Sequence, residues 1–101
     1  MKIVRYQTAT GQTAYGRLHA DGRTTRLAGE IFDELTDTGE PAAVAKLLAP
    51  IEPRDIICIG LNYRKHAAEG NQPIPEWPVV FMKNSGTLQH PDDPIVLPRQ
   101  L

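Results

Sequence analysis

The chain has 101 residues, 41% of them hydrophobic and 23% charged, with a formal net charge of −1. That length holds one domain, or one small domain and part of another. A near-neutral balance with no basic stripe argues against nucleic-acid binding through a charged face, and no run approaches the roughly 20 apolar residues of a membrane span.

Three short strands are expected first. Lys2 to Gln7 carries Ile3, Val4 and Tyr6, Thr10-Gly11 turns it, and Thr13 to His19 follows with Tyr15 and Leu18. Asp21-Gly22 is a strong hairpin signal, because both central positions of such a turn want positive φ, and Arg23 to Leu27 is the third strand. A three-stranded meander has one core face and needs a cover. A short helix beginning near Gly29 is expected to supply it through Ile31, Phe32 and Leu35. Pro41 suits the first turn of a second helix with Val44, Leu47 and Leu48 as its apolar stripe. Pro50 and Pro53 end that helix and form a stiff linker. The boundary is expected there, with residues 1–52 a small N-terminal domain and residues 53–101 a second piece too short of elements to cover a sheet on both faces. The fold class is α+β: a β-meander with helices, followed by the start of a mainly β fold.

The segment Ile56 to Gly70, IICIGLNYRKHAAEG, carries the candidate chemistry. Ile56-Ile57-Cys58-Ile59 has the length of a buried strand and stops at Gly60. Asn62 is placed to cap a helix whose first turn begins at Tyr63, with His66 and Glu69 at i and i+3 on one face. A carboxylate beside an imidazole fixes its tautomer, which is how a general base is prepared near neutral pH. The same spacing is also common on solvated helix faces, where it makes a weak surface pair. Beyond Gly70 the prolines Pro73, Pro75 and Pro78 read as an extended loop holding Trp77, either a pocket wall or a loop anchor. Val79 to Met82 is the next strand, and a last short strand is expected around Ile95 to Leu97. His19 and His90 have no acidic partner at helical spacing and read as surface or turn residues. Cys58, the only cysteine, fits a core role in a reducing compartment, and MKIVRYQTATG lacks the apolar run of a signal peptide. A soluble cytoplasmic protein is expected.

Gly60, Asn62-Tyr63, His66, Glu69, Pro78, Phe81, Lys83 and Pro94-Ile95-Val96-Leu97-Pro98 together resemble the start of the catalytic domain of the fumarylacetoacetate hydrolase family. The likeness is to small bacterial members that act as acylpyruvases, fumarylpyruvate hydrolases and 2-hydroxyhepta-2,4-diene-1,7-dioate isomerases. The first fifty residues resemble the small N-terminal domain that many of these enzymes carry. The resemblance implies a metal-dependent enzyme that cleaves a C–C bond of a β-diketo or 2-oxo acid, with His66 and Glu69 activating water. It further implies that Lys83 stabilises negative charge on the substrate oxygens, that Mg²⁺ or Mn²⁺ serves the complete enzyme, and that the protein is a homodimer. Tyr63 and Arg64 neighbour the pair and are candidates for binding a substrate carboxylate, Arg64 by a bidentate contact. The run Tyr63 to Pro78 is a candidate lid.

In the family the metal is held by acidic residues, two of them in an E-x-E pair, beyond the Ile-x-Leu-Pro segment. No metal ligand is therefore expected before Leu101; Asp92 and Asp93 are adjacent and would point to opposite faces of a strand. The chain is expected to be the front portion of a larger enzyme, inactive and without a cofactor by itself. Isomerase and decarboxylase chemistry stay open beside hydrolysis, since all three proceed through a metal-bound enolate. A non-catalytic module for folding or subunit contact is the alternative from a different class.

Overall fold

The computed structural model describes residues 1–100 of the chain. The protein is mostly β, with few helical residues. Strands β1 (Lys2–Gln7), β2 (Thr13–Leu18), β3 (Thr24–Gly29), β4 (Leu35–Pro41) and β5 (Lys46–Leu48) build one antiparallel sheet in the order β4-β3-β2-β1-β5. Strands β6 (Ile56–Gly60) and β7 (Val79–Lys83) form a separate antiparallel ribbon, with helix α1 (Arg64–Glu69) between them in sequence. No helix among the described residues is long and apolar enough to cross a membrane.

The chain divides into two compact units. The first is residues 1–51 joined by the segment from Gln89 onward, and the second is Glu52–Leu88. The closing segment thus groups with the five-stranded sheet rather than with the β6–β7 ribbon.

In the first unit, turn chemistry sets the register. Gly22 takes φ 86°, which closes the β2–β3 hairpin with His19 and Arg23 joined across it (2.9 Å). Asp21 accepts from both the backbone N–H and the guanidinium of Arg23, and that guanidinium holds the Asp21 carboxyl below its usual range. The core is small: Tyr6 (2% exposed), Leu27 and Ala49 are its buried apolar residues. Arg5 is buried too, and its guanidinium donates to the Ala49 carbonyl (3.4 Å), tying β1 to the exit of β5.

A polar cluster binds β2, β3 and β4. The Asp37 carboxylate accepts from the Gly39 N–H (3.0 Å), from the Thr25 hydroxyl and from Arg17 (3.1 Å), and these partners, led by Gly39, hold its carboxyl below the usual carboxylate range. His19 Nε2 lies 2.8 Å from Thr25 Oγ1, which adds a side-chain contact between the end of β2 and β3.

Three expectations are corrected. The helix expected near Gly29 does not form: Gly29 takes φ 106°, a turn follows, and the chain returns as β4. Phe32, read as part of a covering stripe, is 86% exposed at the tip of that hairpin. Thr36, Thr38, Gly39 and Pro41 are poor helix formers, and edge pairing with β3 satisfies their backbone better. The second helix, read from Val44, Leu47 and Leu48, is instead β5, whose Lys46–Leu48 stretch pairs with the free edge of β1. Short apolar runs do not distinguish the two periods, and here an open sheet edge decides. Ile95 to Leu97, the third case, forms no strand.

The closing segment is pinned to β5. The Lys46 ammonium pairs with the Asp93 carboxylate (2.7 Å), and the Ala49 N–H donates to His90 Nδ1 (3.0 Å). His90, read from sequence as a surface or turn residue, therefore carries part of the closure of the first unit.

Candidate functional site

The second unit holds the residues singled out for chemistry. Strand β6 runs antiparallel to β7 with Gly60 opposite Val79 and Ile56 opposite Lys83. Gly60 serves close approach: a Cβ there would lie 3.3 Å from Val79 Cγ1. The turn toward α1 falls on the next residue, Leu61, at φ 49°. Asn62 does not cap the helix. The N-cap position is Tyr63, in extended conformation, with no side-chain hydrogen bond to the first turn. The helix is held instead by Ala67, which is 1% exposed, and by backbone bonds at its end from Gly70 to His66 and from Gln72 to Ala67.

His66 and Glu69 are brought together as their spacing requires. Nδ1 of His66 lies 3.8 Å from Oε2 of Glu69, and the two side chains are 67% and 62% exposed. That is an ion-pair distance, longer than a hydrogen bond, and solvent screening leaves such a pair little energy by itself. The arrangement orients the imidazole all the same. Nδ1 faces the carboxylate, so Nε2 is the nitrogen left to meet water or substrate.

Beside the β6–α1 turn lies an open cleft of about 450 Å³, walled by Ile59 to Asn62, Arg64, and the Ile74-Pro75-Glu76-Trp77-Pro78 run. The prolines thus fold the loop back against the end of β6. Arg64 and Trp77 are among the lining residues. Tyr63 is exposed and is not among the walls; nor are His66, Glu69 or Lys83. Lys83 sits at the opposite end of the ribbon from the turn, four residues along β7 from Val79, or about 13 Å. Its ammonium lies 6.0 Å from the centroid of the Phe81 ring. Of helix α1 only Arg64 reaches the cleft wall, and Lys83 sits at the end of the ribbon away from the β6–α1 turn.

Sequence reasoning passed over Leu61, Ile74 and Glu76 as site residues. The signal for the last two was the proline spacing, which stiffens the loop enough to form a wall. Nothing in the sequence marked Leu61, because the glycine before it drew the turn assignment. Among the described residues no group of three or more His, Cys, Asp or Glu is placed to hold a metal ion.

Two family descriptions match. Residues 1–50 match "Rv2993c-like, N-terminal" and residues 55–101 match "Fumarylacetoacetate (FAA) hydrolase C-terminal". An uncharacterized protein of Archaeoglobus fulgidus is 45% identical over 83% of this chain and 35% of its own length. The 2,4-didehydro-3-deoxy-L-rhamnonate hydrolase of a Sphingomonas strain is 39% identical over 98% of this chain and 39% of its own length. A solved structure of an uncharacterized protein from Mycobacterium abscessus superposes with a TM-score of 0.62 at 32% identity, covering 84% of this chain and 34% of that one. The chain thus spans well under half the length of these relatives.

Proposed function

The chain belongs to the fumarylacetoacetate hydrolase family, and from that premise we propose that it is the N-terminal portion of a hydrolase that cleaves a C–C bond of a β-diketo or 2-oxo acid. The supporting observation is the His66–Glu69 pair on α1, the helix whose Arg64 lines a cleft together with Trp77. A relative named for hydrolysis of an acid, 2,4-didehydro-3-deoxy-L-rhamnonate, supports an acidic substrate.

In this reading Arg64 takes the substrate carboxylate through its planar fork of donors. Glu69 accepts a hydrogen bond from the Nδ1–H of His66 and fixes its tautomer. Nε2 then takes a proton from water as the oxygen attacks the acyl carbon. The C–C bond breaks, its electron pair passes into an enolate, and the proton held by His66 returns to the enolate carbon. The products are a carboxylic acid and a 2-oxo acid. Lys83 is assigned to stabilise negative charge on substrate oxygens. Closure over the cleft would shorten the His66–Glu69 contact and exclude the water that now screens it. The divalent ion implied for the family, Mg²⁺ or Mn²⁺, does not fit the donors of the described residues, which offer no cluster of three or more His, Cys, Asp or Glu.

Turnover of an acylpyruvate by the full-length enzyme tests the reading. His66→Ala should lower kcat by roughly 10²–10⁴-fold, the usual share of a general base. A His66→Ala enzyme with near-parent kcat would place water activation elsewhere.

A further inference from the structure

We propose that Leu61 is a positioning residue that sets the direction in which α1 presents His66 and Glu69; the inference rests on the dyad assignment above. Every positive-φ position in residues 1–51 is a glycine: Gly11, Gly22, Gly29 and Gly39. The closing segment adds Asp92 (φ 63°) to that unit, and the two left-handed residues of the second unit are Leu61 (φ 49°) and Asn71 (φ 50°), each directly after a glycine that does not take positive φ. Asparagine tolerates this region, whereas a bulky residue such as leucine is an outlier in it.

The neighbours explain why the turn falls there. Gly60 is held in register as the last ladder residue of β6, opposite Val79. On the other side, Ala67 is fully buried and fixes the helix. The direction of the chain must change between these two fixed points, and Leu61 is where it does. Its side chain is half-buried and forms part of the cleft wall. A leucine held left-handed by its surroundings marks a conformation that the fold imposes, and such positions cluster where geometry serves function. A glycine would reach the same φ but leave it as readily. Leucine in this setting has its backbone defined by ladder, helix and wall at once. Leu61 touches none of the reacting atoms in this scheme; it acts through the helix.

The test uses the full-length enzyme and three substitutions chosen for backbone preference. Leu61→Val resists the left-handed region, Leu61→Asn accepts it, and Leu61→Gly accepts it without restricting the chain to it. Two readouts are taken: kcat with KM on an acylpyruvate, and amide hydrogen exchange at Ala67 and Gly70. For Leu61→Val, kcat should fall on the order of tenfold to hundredfold with a smaller change in KM, as expected when a catalytic group is displaced by about an ångström. Exchange at both amides should quicken. Leu61→Asn should return both readouts close to the parent. Leu61→Gly, which folds whatever the strain, should quicken exchange more than Leu61→Asn does. Exchange that is equal in all three variants and the parent overturns the proposal, as does a Leu61→Asn enzyme as impaired as Leu61→Val. His66→Ala, measured alongside, reports separately on the dyad. If it keeps full turnover the catalytic reading has failed, even where exchange at α1 still tracks residue 61.

Discussion

The five-stranded sheet and the β6–β7 ribbon are held in different ways. The sheet satisfies its own needs. Its strands pair along their lengths, Tyr6, Leu27 and Ala49 are buried, and Arg17, Thr25, Asp37 and Gly39 bridge three strands. The ribbon does not. Every residue of β7 is exposed, and Ile57 (68%) and Met82 (64%), opposite each other on the ladder, face water together. A two-stranded ribbon with an uncovered apolar face has little stability of its own. Stability in this chain is thus concentrated in one region, and the candidate chemistry in the other.

That division can be broken by experiment, beginning with the largest effect. The His66→Ala loss of roughly 10²–10⁴-fold in kcat should come with an unchanged melting temperature, because both partners of the pair are exposed. A large drop in melting temperature would make the pair structural. Tyr6→Ala should do the reverse. Truncating this buried aromatic should cost about 3–5 kcal/mol in denaturant unfolding, with kcat per folded molecule kept. If unfolding is unaffected, the core has been misplaced.

Lys83→Met sharpens the ribbon side. Under the proposed charge-stabilising role it should reduce kcat while leaving the pH–rate profile in place. A profile that moves with Lys83 would give the lysine the proton-transfer role. Asp37 supplies a pH test on the sheet side. Its carboxyl is held below the ordinary value of 3.8, so the stability it contributes is present above that value and lost as pH falls through the lower, folded-state one. Asp37→Asn should therefore lower stability at neutral pH, where the ionised carboxylate contributes, and flatten the acid limb of unfolding stability. An acid limb identical in the variant would assign the loss to other carboxylates. The smallest effect is expected at Phe32, where Phe32→Ser at the exposed hairpin tip should shift stability by no more than about 0.5 kcal/mol.

How much was legible in the sequence follows the same division. Asp21-Gly22 and Thr10-Gly11 fixed two hairpins, because a local turn preference suffices there. Strands β6 and β7 were legible from their apolar runs. Strands β4 and β5 were not, since their apolar residues suited a helical period equally well and only the free edges of β3 and β1 resolve the choice. The His66–Glu69 contact was legible from i, i+3 spacing alone. The placement of Lys83 at the far end of the ribbon was not, because it depends on which β6 residue it faces. Leu61 was hidden for a related reason: the demand on its backbone comes from Val79 across the ribbon and from the burial of Ala67, and neither shows in the local turn signal.

The clasp at β5 bears on how this protein can be cut and recombined. The prolines at 50 and 53 look like a natural seam, yet the sheet before them draws on Asp93 and His90 after them. Modularity along the gene and modularity in space therefore differ by some forty residues, the separation of Ala49 from His90. A fusion or domain swap that changes partner at the seam would pass on the sheet without two of the contacts that hold its outermost strand. Such chimaeras should fray first at Lys46–Leu48, and restoring a His90–Asp93 segment would be the repair.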